Sequence, residues 1–142
     1  MKTIKKNRAS NSEFLTQRIK QNEKNQSLNL NEWAFSKING SNKKLSILEL
    51  CCGTGMQTKY LHKNFPNSKI TAIDVSLESL EKIRTQEFFD KEKIDLIHKD
   101  LDSFFEENSS FFDIIFVSYG LYYAKNLNKV IKVILMFFLL IL

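Results

Sequence analysis

Cysteine and histidine are scarce in this chain, two of each in 142 residues. Cys51 and Cys52 are neighbours, poor candidates for pairing with each other, and His62 and His98 stand alone. Neither a disulfide framework nor a spaced set of metal ligands can be read from them. Such cysteine usage suits a reducing compartment, and a cytoplasmic location is expected. Long apolar runs are also missing. The C-terminal run Val133–Leu142 has half the roughly 20 residues that a membrane-spanning helix takes, so no span is expected. The polar, lysine-rich N-terminus has no apolar core of a secretory signal. There is one proline, four glycines, no internal repeat and no low-complexity linker.

What remains is the composition of one soluble globular domain, 43% hydrophobic and 26% charged. The net charge of +5 is uneven: residues 1–46 hold ten Lys or Arg against three acids, and the rest eleven against thirteen. The basic excess belongs to the N-terminal segment. No aromatic residues interleave its lysines, which favours a solvated arm over a nucleic-acid surface.

The informative stretch is Leu45 to Thr58, LSILELCCGTGMQT. Leu45, Ile47, Leu48 and Leu50 form an apolar run of strand length, suited to burial on both faces of a parallel sheet. Gly53-Thr54-Gly55 breaks it, and Met56, Tyr60 and Leu61 follow at helical spacing. Strand, glycine turn and helix start aim backbone amides at whatever lies over the turn.

The rest of the chain is ordered around this unit. Residues 1–9 read as a disordered basic arm. Residues 10–40 read as two cover helices, the first with a Ser10–Glu13 capping box and Phe14, Leu15 and Ile19 on it. Gln21 to Asn29 reads as a loop, and the second helix carries Leu30, Trp33, Ala34 and Ile38 before Asn39-Gly40 stops it. Residues 41–142 then alternate. The expected strands are Leu45–Leu50, Lys69–Val75, Lys93–His98 and Phe112–Ser118. Between them lie helices over Met56–Asn64 and Leu77–Phe89 and a loop or short helix over Leu101–Ser110. A last helix starts near Asn126 with Leu127, Val130, Ile131, Ile134, Leu135 and Phe138 on its apolar side. Met136–Leu142 either extends that helix or adds a fifth strand. The expected fold is α/β, a Rossmann-like, doubly wound parallel sheet of four or five strands with N-terminal cover helices.

Ligands of such sheets bind at the carboxyl ends of the strands. Cys51 to Gly55, Asp74, Asp100 and Ser118-Tyr119 stand there. Asp74, 19 residues after Gly55, is placed to accept the hydroxyls of a ribose, a reading preferred to that of a helix-start acid. Asp100 either accepts from an adenine amino group or is a loop acid with Asp102, and both readings stay open. Glu49 interrupts an apolar strand, so it is expected to be buried and to have a cationic or hydrogen-bonding partner. Phe14, Trp33 and Phe35 read first as core, with stacking on a ligand as the alternative. His62 and His98 read as solvent or packing residues.

This constellation resembles the class I S-adenosylmethionine-dependent methyltransferases over about residues 10–135. The matching stretches are ILELCCGTG, ITAIDVS, HKDLDSF and FFDIIFVSYGLYY. The resemblance implies S-adenosyl-L-methionine as cofactor and methyl transfer as activity. It carries cofactor binding onto Glu49, Cys51, Gly53, Thr54, Gly55, Asp74, Val75, Asp100, Leu101 and Ser118. Cys51 stands where the family often has glycine. An NAD(P)-binding Rossmann site is the competitor, but the third glycine of its fingerprint is absent from Gly-Thr-Gly-Met-Gln-Thr.

The implied reaction is displacement at a sulfonium methyl, with orientation and exclusion of water as the protein's main contribution. No catalytic residue and no metal are assigned. Tyr119, Tyr122 and Tyr123 face the acceptor side or pack beneath their loop. The absence of a Pro-Pro-Tyr or Pro-Pro-Phe signature after the fourth strand argues against a nucleic-acid acceptor and leaves a small molecule or a protein. The family's sheet usually has seven strands, so an open edge beside the fourth is expected, to be covered by a partner. A truncated, non-catalytic cofactor-binding or interaction module is the alternative function.

Overall fold

β1 (Ser46–Leu50) forms the middle of the sheet, because its side chains are wanted on both faces. Ile47 joins one apolar cluster, and Leu48 and Leu50 join another. The period of two along a strand sends alternate residues to opposite sides. The structure is a computed structural model that describes residues 30–36, 42–107 and 110–139, with Glu13, Gln17, Lys20 and Gln21 as separate helical positions. Around β1 run α1 (Leu30–Ser36), α2 (Met56–Asn64), β2 (Lys69–Asp74), α3 (Leu77–Arg84) and β3 (Ile94–His98). Then come α4 (Leu101–Glu107), β4 (Ile114–Val117), a 3-10 turn over Leu121–Tyr123 and α5 (Leu127–Leu139).

The four strands are parallel in the order β3-β2-β1-β4. Chain order runs outward from β1 through β2 to β3 and then returns to the other side of β1. The strand ends beside β1 are therefore the switch point, where open α/β sheets bind ligands. Leu50 lies opposite Ile73 and Val117, so the chain leaves β1 flanked by the ends of β2 and β4.

On the first face, Phe35 of α1, Leu61 of α2 and Leu80 and Ile83 of α3 pack over Ile47, Ile70, Ala72 and Ile94. On the second, Leu101 and Phe104 of α4 and Val130 of α5 pack over Leu48, Leu50 and Ile73. Helices thus flank both faces, as expected of a doubly wound sheet. The stop between α2 and β2 is tied to β1: Ser68 Oγ accepts from Leu45 N at 3.0 Å and donates to Lys43 O at 3.2 Å. Asp113 Oδ2 accepts from Ser46 N at 2.7 Å and aligns the start of β4 with β1.

Several boundaries move. Val75 lies beyond β2, and Phe112, Asp113 and Ser118 lie outside β4. α3 ends at Arg84 instead of running to Phe89. Thr85 Oγ1 caps Lys82 O, and turn bonds from Gln86 N to Ile83 O and from Phe89 N to Gln86 O replace helical ones. That turn folds Phe88 and Phe89 back onto the first cluster. Gln21 is helical where a loop was expected. On α1 the buried residue is Phe35, at 7% exposure, whereas Trp33 is 51% exposed. Phe35 stacks on Tyr60 and Phe116, with ring centroids 5.8 and 5.4 Å apart. The basic arm, the Ser10 cap, Phe14, Ile38 and residues 140–142 lie outside the described residues.

Met136 belongs to α5, so the helix extends through Leu139 and no fifth strand occurs among the described residues. Among the described side chains of the expected apolar side, only Val130 is fully covered. Leu127, Ile131, Leu135 and Met136 are exposed, and among the described residues β4 pairs only with β1. No helix among the described residues is long and apolar enough to cross a membrane.

Candidate cofactor site at the carboxyl end of the sheet

The turn after β1 is built from left-handed residues. Cys51 has φ 58, Gly53 φ 54 and Gly55 φ 86. Gly55 is required twice over: its φ is positive, and an added Cβ would lie 2.8 Å from Ile83 Cγ1. Gly55 is also the residue before the first turn of α2, where no side chain caps the helix. The loop is held by Cys52 N donating to Ile73 O and by Gly55 N donating to Cys52 O, at 3.0 and 3.1 Å.

Asp74 links this loop to the end of β2. Its Oδ2 accepts from Gly53 N and its Oδ1 from Ser76 N, both at 2.8 Å. Ser76 in turn caps α3 by accepting from Ser79 N at 3.3 Å. Burial raises the Asp74 carboxyl, while the amides of Ser76, Gly53 and Val75 and the nearby His98 pull it back. One carboxylate therefore orders both the glycine turn and the start of α3. Val75, next to it, is exposed at the mouth.

Glu49 is buried under the turn, at 2% exposure, and accepts from Thr58 Oγ1 at 2.7 Å. Its expected partner is thus a hydroxyl and not a cation. Burial is the largest cause of its rise from 4.5 to about 8; Thr58 opposes the shift and Asp74 adds to it. The carboxyl is mostly protonated at neutral pH. Thr58 itself escaped sequence reading. Its signal was its position three residues before Leu61, on the buried face of α2.

The two cysteines point to opposite faces, Cys52 into the first cluster and Cys51 against the second. Burial pushes the Cys51 thiol up to about 12 and Cys52 well above its usual value, so both are neutral thiols. Thr54 is half-buried on the loop, and Ser118 follows β4 opposite the turn.

Asp100 stands at the end of β3 and caps α4. Its Oδ1 accepts from Ser103 N at 3.0 Å and its Oδ2 from Ser103 Oγ at 3.1 Å, with Lys125 Nζ at 3.8 Å. The Ser103 amide is the largest cause holding it below the usual carboxylate range. Asp102 accepts from Lys125 N and Asn126 N at 2.9 and 3.2 Å and anchors the approach to α5. The side chain of Leu101 is buried in the second cluster. The structure therefore joins Gly53 and Asp74 directly, sets Cys51 and Gly55 in the same turn and buries Glu49 of β1 beneath it. Asp100 and Leu101 sit two strands away, tied to α4. His98 Nε2 is 3.0 Å from Val75 O, a contact across the ends of β2 and β3 not foreseen from sequence. Tyr119 follows β4 with φ 58, exposed beside the site, and the Tyr122 and Tyr123 rings lie 4.4 Å apart. No group of three or more potential metal ligands occurs among the described residues.

Residues 47–136 match the family model described as a methyltransferase domain. Malonyl-[acyl-carrier protein] O-methyltransferase 1 of Ilyobacter polytropus is 34% identical over 79 residues, covering 56% of this chain and 28% of the relative. Demethylmenaquinone methyltransferase of Staphylococcus aureus is 32% identical over 102 residues, covering 66% of this chain and 41% of the relative. The plantazolicin methyltransferase BpumL in complex with SAH has a similar fold, with a TM-score of 0.56 and 23% identity over 67% of this chain and 35% of that one. The chain spans well under half the length of these relatives.

Proposed function

The chain belongs to the methyltransferase-domain family, the class I S-adenosylmethionine-dependent methyltransferases, and from that premise we propose that it binds S-adenosyl-L-methionine and transfers its methyl group to a small-molecule or protein acceptor. The observation that carries the reading is the Gly53–Asp74 junction: a buried carboxylate fixes a turn of left-handed residues at the switch point. A Cβ at Gly53 would meet nothing within 4 Å, so the turn is open there to close backbone approach by a ligand above the start of α2. Asp74 retains lone pairs beyond its two amide bonds, a reason to assign it the ribose hydroxyls. Glu49, its carboxyl raised by burial beneath the turn, ionises when an ammonium group is brought near. Asp100, Leu101 and Val75 border the adenine end, and Cys51, Thr54 and Ser118 complete the rim.

Held by Asp74 and the Gly53–Gly55 turn, S-adenosyl-L-methionine would supply an activated methyl group for an acceptor nucleophile. The chain's own part is to hold the cofactor and aim the acceptor across Ser118–Tyr123. The unit that does so is residues 41–142 with α1 laid over the first face, and we place it in the cytoplasm. The exposed stripe of α5 beside the open edge of β4 supports a second element, a further segment or a protein partner lying along that edge. If that element supplies the acceptor site, this chain alone is a cofactor-binding module.

Titration calorimetry with S-adenosylhomocysteine (SAH) and with NADH tests the reading. Saturable SAH binding is expected, and Asp74→Asn should weaken it by about 10- to 100-fold, the worth of a charged hydrogen-bond acceptor. Preferential NADH binding would overturn the assignment.

A further inference from the structure

Cys51 and Gly120 meet where the turn after β1 approaches the segment after β4. Gly120 is buried and has φ −117, an angle that does not call for glycine. Space is what calls for it. A Cβ built on Gly120 falls inside van der Waals contact with both Cβ and Sγ of Cys51, and lies 3.8 Å from Val117 Cγ2. The thiol of Cys51 fills the position that a side chain at 120 would take. Cys51 packs in the same cluster as Val117 and Leu121, so the contact belongs to a continuous apolar layer. On either side of it, Cys51 and Tyr119 both hold φ 58 without being glycine, a conformation that persists only where the surroundings impose it.

We propose that the Cys51–Gly120 contact is a latch that seats the Ser118–Tyr123 segment on the cofactor turn, and that Gly120 is a positioning residue for that turn. The turn is then gripped from both neighbouring strands. Asp74 holds Gly53 by a hydrogen bond from the β2 side, and Gly120 admits Cys51 by shape from the β4 side. The neutral thiol acts as an apolar filler, and close packing makes its volume matter to the methyl. Positions 51 and 120 form a complementary pair: a side chain at one excludes a side chain at the other. The latch fixes the spacing between the turn that holds the cofactor and the segment that faces the acceptor.

The inference rests on the methyltransferase reading for its functional half, and a double-mutant cycle on the full chain separates the two. The variants are Gly120→Ala, Cys51→Gly, their double and Cys51→Ala, followed by SAH calorimetry, thermal unfolding and amide exchange of residues 52–55 and 121–123. Gly120→Ala is expected to weaken SAH binding by about tenfold, whereas in the Cys51→Gly background the same change costs less than about threefold. Equal losses in both backgrounds refute the pairing. A lowered unfolding midpoint with unaltered SAH affinity refutes the positioning role. Should Gly120→Ala not fold, recovery of folding in the double variant supports the pairing. Cys51→Ala, which removes only Sγ, then tests the latch: faster exchange in both segments together supports it, and unchanged exchange in either one overturns it. If the wild-type chain does not bind SAH, the methyltransferase reading falls, while unfolding and exchange still decide whether the two segments are latched.

Discussion

Replacing Glu49 by Gln isolates the most perturbed acid of the site. Glu49 is desolvated, receives one hydroxyl bond from Thr58 and feels Asp74 as a like charge. No ion pair among the described residues reaches it. Its carboxyl rises from 4.5 to about 8 on folding. Below pH 4.5 both states hold the proton, and above about pH 8 both have lost it. Between these limits the folded state keeps a proton that the unfolded state releases. The contribution is therefore complete below 4.5 and is lost as the pH rises toward 8. At ~1.4 kcal/mol per pH unit, the ceiling is about 5 kcal/mol across the window, and relaxation of the turn reduces it to a few kcal/mol. Gln keeps the size and a carbonyl acceptor for Thr58 but does not ionise. Urea unfolding of both proteins from pH 4.5 to 8 reads the difference directly, since every other titrating group is common to them. Glu49→Gln is expected to gain on the wild type steadily with pH. Parallel stability curves would refute the reasoning and mean that water or an unrecognised cation reaches the carboxylate.

Phe35→Ala should cost about 3 kcal/mol in urea unfolding, because it deletes a buried ring stacked on Tyr60 and Phe116. Trp33→Ala, two residues earlier on the other side of α1 and half exposed, should cost less than about 1 kcal/mol. If the ranking is reversed, the face of α1 assigned to the core is wrong. Asp100→Ala removes the cap of α4 and should cost about 1 kcal/mol in the same assay. Its SAH affinity should fall less than that of Asp74→Asn, because Asp100 follows β3, two strands from β1, whereas Asp74 clasps the glycine turn itself. A larger fall would make adenine recognition the main role of Asp100.

Much of the fold was legible locally. ILEL, ITAI and DLIH are short, largely apolar runs of strand length, each followed within three residues by glycine or an acid, and such patterns follow from burial in a sheet. Boundaries were less legible. α3 reads as helical to Phe89 from its periodicity, but the chain turns after Arg84 so that Phe88 and Phe89 cover the first cluster. α1 offered Leu30, Trp33, Ala34 and Ile38 as its apolar face and both Trp33 and Phe35 as core, yet of these two aromatics Phe35 is buried and Trp33 is not, because Tyr60 and Phe116 present rings to Phe35 and neither is near in sequence. Glu49 announced itself as a lone acid in an apolar strand. Its partner did not, since a threonine nine residues away is one of many hydroxyls until α2 folds back over β1.

By itself, then, the sequence determined the strand–turn–helix unit, the parallel alternation and the placing of Asp74 at a strand end, because glycine, alternation and apolar run length act through nearest neighbours. Only the tertiary structure decided that Asp74 clasps Gly53, that Thr58 answers Glu49 and that Gly120 makes room for Cys51. Those pairings join different elements of the fold, and whether two side chains share or contest a volume is settled only when the sheet and its helices bring them together.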